Sequence, residues 1–209
     1  MGATNARIAF SFAAVMIFSV IGYYRIDIPV AIFCKGLDFR ILDLFEWISI
    51  LGESQWYLLA AFGLFIYYKR FHVCPLYANQ ALFVFSSVAV SGVVALLIKL
   101  IFGRFRPTIF FTKGLYGFNF FNPAEDMNSF PSGHAATALS LAFALSLFFP
   151  RYRFPLFCFG ILVAISRTVT TAHFLSDTVA GAWVGIATVI LLQQAIVRKG
   201  KAKSVGWKT

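Results

Sequence analysis

The stretch LYANQALFVFSSVAVSGVVALLIKLIF, from Leu76 to Phe102, holds a single charged residue, Lys99. An α-helix rises about 1.5 Å per residue, so this stretch is long enough as a helix to cross a hydrocarbon core about 30 Å thick. A charged side chain is costly at membrane depth, and such residues are therefore few and usually functional. The stretch predicts a transmembrane helix with Lys99 near one end.

Five other stretches share this apolar character, and together the six predict an all-α bundle of transmembrane helices. The 209-residue chain is 60% hydrophobic and 12% charged, whereas soluble domains carry about 25% charged residues. No polar stretch is long enough for a separate domain. We expect one membrane domain over residues 1–209, with its core at about residues 8–196 and a basic tail at 197–209. The predicted spans are Ile8–Tyr24, Gln55–Tyr68, Leu76–Phe102, Gly133–Phe149, Phe154–Ala172 and Phe174–Ile196.

Two further segments are expected beside the bundle. The second span is short unless it begins near Trp47. Before it, apolar residues recur at helical spacing with acidic residues between them, which predicts an amphipathic helix on the membrane surface. The long connection from Gly103 to Phe130 has the length of a functional loop. The apolar positions of the amphipathic segment are Leu37, Ile41, Leu44, Phe45 and Ile48.

The charges are distributed unevenly between the two sides of the predicted bundle. One side holds ten basic residues and no acidic residue. The other side holds eight basic and all eight acidic residues, so the net charge of +10 lies on the first side. By the positive-inside rule, both termini are expected in the cytoplasm and the motifs described below outside, in the periplasm of a bacterium. Nucleic-acid binding would instead need a basic face on a soluble fold. The basic residues of the cytoplasmic side are Arg7, Lys69, Arg70, Arg151, Arg153, Arg198, Lys199, Lys201, Lys203 and Lys208.

The first motif, KLIFGRFRP, runs from Lys99 to Pro107. Lys99 and Arg106 are seven residues apart, about two helical turns, and Pro107 is expected to end any helix. Both cations can reach one anion at the end of the third span. Taken alone, Lys99 also fits a side chain that extends from a span end toward water.

The second motif is PSGH, from Pro131 to His134. The first N–H groups of a helix lack partners and, with the helix dipole, attract an anion. Ser132 can cap this helix or donate its hydroxyl to a phosphate, Gly133 permits the tight turn, and His134 can donate a proton to a leaving group. Taken alone, the motif also fits an ordinary capped helix start.

The third motif, SRTVTTAHFLSD, runs from Ser166 to Asp177. His173 and Asp177 are four residues apart, which predicts that they share one helix face at the start of the sixth span. A carboxylate bound to one imidazole nitrogen leaves the other free to attack. The planar guanidinium of Arg167 suits bidentate phosphate binding. The His173–Asp177 pair also fits a purely structural hydrogen bond.

The three motifs together resemble the type 2 phosphatidic acid phosphatase superfamily, whose pattern is K-x6-RP, PSGH and SR-x5-H-x3-D. All three stretches match without a departure. The resemblance implies a metal-independent phosphatase, with no cofactor, that works through a phosphohistidine intermediate. It implies His173 as nucleophile, Asp177 as its orienting partner and His134 as general acid. It further implies a phosphate-binding shell of Lys99, Arg106, Ser132, Gly133 and Arg167.

The short chain, in which no extramembrane domain is expected, favours a lipid phosphate reached laterally in the bilayer over a soluble sugar phosphate as substrate. Candidates by family resemblance are undecaprenyl diphosphate, phosphatidylglycerol phosphate, phosphatidic acid and lipid A. A lipid phosphotransferase would use the same residues. A transporter or flippase would need a site near the membrane midplane. A zinc hydrolase built on His134, His173 and Asp177 would be sensitive to chelators.

Overall fold

The fold, taken from a computed structural model, is described for residues 2–122 and 127–207. Within these ranges the regular structure is helical, apart from one isolated bridge between Arg104 and Phe118. The all-α prediction is confirmed. The helices are α1 (Gly2–Ile21), α2 (Asp27–Lys35), α3 (Phe39–Ile50), α4 (Ser54–Ile66), α5 (Pro75–Phe102), α6 (Pro107–Lys113), α7 (Gly133–Phe148), α8 (Arg153–Val169) and α9 (Leu175–Arg198).

Six helical stretches account for the predicted membrane crossings. Five are long and apolar enough to span a bilayer, and the sixth, α7, is apolar but has only 16 residues. Helix α7 packs against α5, α8 and α9. The five long stretches are Thr4–Lys35, Phe39–Phe71, Pro75–Phe102, Pro150–Val169 and Leu175–Arg198.

Helices α7 and α9 pack with their backbones in contact. A Cβ atom on Gly181 would lie 2.2 Å from the Ser132 carbonyl oxygen, and one on Gly185 would lie 2.4 Å from that of Ala136. Small residues spaced four apart allow such close helix packing in membranes. The contact fixes the second motif, at the start of α7, against the first turns of α9, where the third motif ends.

The first span is longer than predicted. It was expected to end at Tyr24, where Arg25 and Asp27 interrupt the apolar run. The chain instead passes through a π-helical turn at Gly22–Ile26 and continues as α2 to Lys35. The helix continues because Asp27 is buried against Arg104, at 2.7 Å, and is not exposed to lipid.

The expectation that Pro107 ends a helix is wrong. Helix α5 already ends at Phe102, and Gly103 follows with a φ of 54°, a left-handed conformation that favours glycine. Pro107 is the first residue of α6, where its missing N–H costs nothing. Lys99 and Arg106 therefore lie on separate elements.

The amphipathic segment forms a helix, α3, that leads into the second span. It ends at Ile50, and α4 begins at Ser54, so a short break at residues 51–53 lies within the long apolar stretch Phe39–Phe71. Helix α3 packs against α8. The fifth span, predicted to reach Ala172, ends at Val169, because the chain turns there before α9 begins.

The two ends of the bundle carry different parts of the chain. Asn5 in α1 and Lys199 after α9 line one cavity, so the start of α1 and the end of α9 lie together. Trp207 packs beyond them with ring centroids 5.1 Å from Phe83 and 6.0 Å from Phe148. The three motifs lie at the opposite end, where α5 ends and where α7 and α9 begin.

Candidate active site

The second motif forms the predicted helix start. Ser132 is the N-cap of α7, and its Oγ accepts a hydrogen bond from the Ala135 N–H at 3.4 Å. The Ser132 N–H donates to the Asp177 carbonyl oxygen at 2.9 Å. A Cβ atom on Gly133 would lie 4.0 Å from Cε of Lys99. The helix start therefore lies directly beside Lys99, and this end of α7 can bind an anion.

Three cations of the predicted phosphate shell make no salt bridge with a carboxylate in the described part of the chain. Lys99 Nζ donates to the Asn128 carbonyl oxygen at 2.8 Å, and Arg167 donates to the Ser49 hydroxyl. The Nε atoms of Arg106 and Arg167 are buried with no hydrogen-bond partner among the described residues. Buried donors are normally satisfied. These guanidinium groups therefore suit an anionic ligand.

His173 lies within this group of cations. Its side chain is buried, and burial lowers the pKa of its imidazole well below the ordinary value. The positive charges of Lys99, Arg167 and Arg106 lower it further, in that order, and His134 adds to the effect. Residues from all three motifs thus act on His173 and favour the neutral form of its imidazole.

His134 is the second residue of α7 and is half-buried. A Cβ atom on Gly52 would lie 2.6 Å from Cδ2 of its ring, so the turn between α3 and α4 packs directly on the imidazole. His134 and Arg167 together line a polar cavity that opens beside them.

The expected hydrogen bond between His173 and Asp177 is not formed. His173 precedes α9, whose N-cap is Phe174, so the two residues do not share a helix face. Their closest atoms, His173 Nδ1 and Asp177 Oδ2, are 3.9 Å apart. Asp177 accepts shorter hydrogen bonds from Ser129 Oγ at 2.6 Å and the Phe174 N–H at 2.9 Å. Ser129 Oγ lies 3.5 Å from His173 Nδ1 and connects the two indirectly.

A second group of buried polar residues, which the sequence motifs do not include, surrounds Asp177. Arg104 Nη1 lies 2.5 Å from Asp177 Oδ1, and Nη2 lies 2.7 Å from Asp27 Oδ2. Ser176 donates its N–H to Asp27 at 3.0 Å and its hydroxyl at 2.5 Å. The signal available in the sequence was Asp27 itself, an acidic residue directly after an apolar run.

Arg104 is held permanently charged. Burial alone would lower its pKa, but the Asp177 and Asp27 carboxylates outweigh burial and raise that pKa. The guanidinium also lies 4.6 Å from the ring centroid of Phe174 and 5.5 Å from that of Tyr116. The Tyr116 hydroxyl in turn donates to the Tyr23 carbonyl at 2.7 Å. The ion pairs, the hydrogen bonds and the aromatic rings together fix the position of the Arg104 side chain.

Among residues 2–122 and 127–207, no three His, Cys, Asp or Glu side chains lie close enough to hold a metal ion. What converges at this end of the bundle is a set of cations, a helix N-terminus and two histidines. These groups can bind a phosphate, attack it and protonate the oxygen that leaves.

Fold and site together define an integral membrane protein that handles phosphate esters or anhydrides. The PAP2 superfamily matches residues 80–201, which include all three motifs. The chain belongs to the PAP2 superfamily.

Several relatives are lipid phosphatases. The lipid A 1-phosphatase of Rhizobium etli is 32% identical over 163 residues, which cover 71% of this chain and 70% of that protein. The lipid A 1-phosphatase of Rhizobium johnstonii is 34% identical over 161 residues, 70% of this chain and 66% of that protein. The lipid A 4'-phosphatase of Porphyromonas gingivalis is 28% identical over 165 residues, which cover 73% of this chain and 65% of that protein.

Two crystal structures share the fold. LpxE of Aquifex aeolicus superposes with a TM-score of 0.60 at 23% identity, over 82% of this chain and 96% of that one. A PAP2-type phosphatidylglycerolphosphate phosphatase of Bacillus subtilis superposes with a TM-score of 0.54 at 19% identity, over 90% of this chain and 96% of that one. With the family match and the sequence relatives, the conclusion is that this chain is a multi-pass membrane lipid phosphatase.

Proposed function

We propose that the protein removes a phosphoryl group from a membrane lipid through a phosphohistidine on His173. The observation that carries the proposal is the buried imidazole of His173, whose pKa is lowered by burial and by three cations that make no salt bridge with a described carboxylate. The relatives that act on lipid A support a lipid substrate of that kind. Undecaprenyl diphosphate, phosphatidylglycerol phosphate and phosphatidic acid are the other candidates.

In the first step, the lone pair on His173 Nε2 attacks phosphorus and the bond from phosphorus to the leaving oxygen breaks. Nδ1 is the nitrogen that faces Ser129 and Asp177, so Nε2 is free to react. Lys99, Arg106 and Arg167 stabilise the charge on the equatorial oxygens. A bound phosphate dianion favours the imidazolium form of His134, which gives its proton to the leaving oxygen.

In the second step, water attacks the phosphohistidine, His134 takes a proton from that water, and inorganic phosphate leaves with His173 restored. Phosphorylation makes the His173 ring positively charged. The Asp177 carboxylate, held by Arg104 and Ser129, stabilises that charge from the Nδ1 side. Ser132 and Gly133 contribute the helix start that binds the phosphoryl group.

We further propose that the site faces the periplasm from a bacterial cytoplasmic membrane, with both termini in the cytoplasm. Two observations support this orientation. The excess of basic residues lies at the end of the bundle away from the motifs. The start of α1 and the end of α9 share that end. Cysteine labelling in whole cells tests the proposal, because positions in the connection 103–130 should react from outside and Arg70→Cys only after permeabilisation.

The test of the chemistry is phosphate release and phosphoenzyme trapping with purified protein in excess EDTA. Wild-type protein given a ³²P-labelled lipid phosphate should release phosphate and show an acid-labile labelled intermediate. His173→Ala should lose both the label and turnover. His134→Ala should be slow, and a substrate with a good leaving group should partly rescue it.

Equal rescue of the two histidine variants would contradict this division of roles. Inhibition by EDTA would favour the zinc hydrolase. Transfer of the label to an acceptor alcohol instead of water would favour the phosphotransferase.

A further inference from the structure

A cavity of about 310 Å³ opens beside His134, the candidate general acid. Of the cations in the predicted phosphate shell, Arg167 lines it, and the proposed chemistry assigns no role to the rest of its lining. Its outer wall is formed by the end of α3 and the turn before α4, and its inner wall by α7 and α8. This volume lies at the low end of the range for cavities that hold small molecules, about 300–1,000 Å³. The polar residues that line it are Glu46, Ser49, Glu53, His134, Arg167 and Thr170.

The cavity lies on the leaving-group side of the reaction. His134 lines it, whereas His173 does not. In-line displacement places the leaving oxygen opposite the attacking nitrogen. The residue that protonates this oxygen touches it, so the rest of the leaving group extends past His134 into the cavity.

The outer wall is rich in hydrogen-bond acceptors. Glu53 is held in place by Gln55 Nε2 at 2.5 Å and Trp56 Nε1 at 3.2 Å. Glu46, one helical turn before Ile50, makes no hydrogen bond or ion pair within the described residues and is exposed. These carboxylates accept hydrogen bonds from hydroxyl or ammonium groups. Two carboxylates outnumber Arg167, the cation that lines the same cavity, so the lining disfavours a second phosphate, and an acyl chain gains nothing from it.

Resting on the proposed function, we propose that this cavity binds a hydroxyl-rich leaving group such as a sugar ring. The site then prefers a lipid whose phosphate is a monoester on a sugar. A lipid diphosphate places a negatively charged phosphate in the cavity as its leaving group, and a phosphatidic acid places an apolar glyceride there. Both are disfavoured by Glu46 and Glu53.

The outer wall and the phosphate shell come from different parts of the chain. Glu46 and Glu53 lie in and after α3, outside residues 80–201 that match the family. The family match therefore covers the phosphate shell, while the wall of the cavity belongs to a separate part of the chain. The same turn packs on His134 through Gly52, so the wall and the general acid have fixed relative positions.

The experiment compares two substrates in each variant, so that the fraction of folded protein cancels. Initial rates of phosphate release in EDTA give kcat/KM for a lipid-linked glucosamine 1-phosphate and for an isoprenyl diphosphate. The double variant Glu46→Gln, Glu53→Gln should shift the ratio toward the diphosphate by roughly tenfold. Glu46→Gln alone should shift it in the same direction by less.

Asp43→Asn is the matched control, because Asp43 is an exposed carboxylate of the same helix that does not line the cavity. Its substrate ratio should equal that of the wild type. An unchanged ratio in the double variant, with active wild-type protein, overturns the leaving-group site and leaves the proposed function intact. Absence of phosphate release by wild-type protein from either substrate counts against the proposed function itself.

Discussion

Arg104 and Arg106 are separated by one residue and lie in opposite electrostatic surroundings. Arg104 is 1% exposed and contacts two carboxylates, at 2.5 and 2.7 Å. Both residues have a buried Nε without a described hydrogen-bond partner, but Arg106 makes no salt bridge with any described carboxylate. One guanidinium is neutralised inside the protein, and the other is left for a ligand.

The comparison separates two uses of buried charge. A buried ion pair with good geometry holds its elements in one arrangement, and removing one partner is strongly destabilising. An uncompensated group of cations repels itself and becomes favourable when an anion binds. In this protein the first kind of charge surrounds Asp177, and the second surrounds His173. The following predictions test whether the two regions are as distinct as their contacts indicate.

The largest effect is expected from Arg104→Met. It leaves Asp27 and Asp177 buried without their counter-charge, so the free energy of unfolding should fall by about 3–5 kcal/mol. Thermal denaturation in detergent measures this loss. The double variant Asp27→Asn, Arg104→Met should recover part of it, since one of the two unpaired carboxylates is then neutral. An Arg104→Met protein as stable as the wild type would remove the distinction between the two regions.

The second effect concerns Arg106→Ala, which should lower kcat/KM by roughly 10²–10³ through loss of a donor to the phosphoryl group. Its melting temperature should stay close to that of the wild type, because Arg106 supports no described carboxylate. The assay is phosphate release from a lipid phosphate, with the melting temperature measured on the same sample. A variant with a much lower melting temperature but an unchanged specific activity would assign Arg106 to the structural region instead.

Arg167→Lys tests geometry within the phosphate shell. Lysine keeps the charge but loses the paired donors, so kcat/KM should fall at least about tenfold, or about 1.4 kcal/mol of transition-state stabilisation. Steady-state kinetics on a lipid phosphate measure it. Near-normal activity would mean that charge alone is used and would remove Arg167 from the catalytic shell.

Gly52→Ala tests how firmly His134 is held. The added Cβ would lie 2.6 Å from the imidazole and must displace it, so kcat should fall a few-fold. Gly63→Ala is the control, because in α4 its Cβ would have no neighbour within 4 Å. Substrates with good leaving groups should be affected least. An equal loss for all leaving groups would argue against His134 as the group displaced.

The smallest expected effect is an NMR signal of His173 whose chemical shift stays constant with pH. Burial and the surrounding cations lower the pKa of His173, so its ring should stay neutral as the pH falls from 8 through 6.5. NMR of ¹³C-labelled histidine in detergent, assigned with His173→Gln, should show no titration of this ring in that interval. A midpoint near 6.5 would contradict the cationic surroundings. In Arg106→Ala the midpoint should rise, because one positive charge is removed.

Most of the bundle could be predicted from the sequence because hydropathy is a local property. The third span matches to within one residue, since its apolar run has sharp ends. The phosphate-shell residues were also accessible, because each motif is a short contiguous pattern. Pro107 was misassigned because the same residue stops a helix from inside and starts one from its first position.

The Arg104 network could not be predicted in the same way. Arg104 is 77 residues from Asp27 and 73 residues from Asp177 along the chain. No local pattern connects them: α2 packs beside α9 in the fold, and Arg104, in the connection after α5, contacts both carboxylates. The same packing explains the missing His173–Asp177 hydrogen bond, because Arg104 and Ser129 occupy the carboxylate oxygens that the imidazole was expected to use.

The contact between Asp27 and Ser176 also bears on biosynthesis. The two residues are separated by 149 positions, and a ribosome that adds about 5–20 residues per second needs roughly 7–30 s to make the second after the first. During that interval Asp27 has neither Ser176 nor the completed Arg104–Asp177 pair. Insertion of α9 positions the proposed nucleophile, His173, just before the helix and also completes the ion pairs that hold the first span, so the candidate site and the bundle are assembled in the same event.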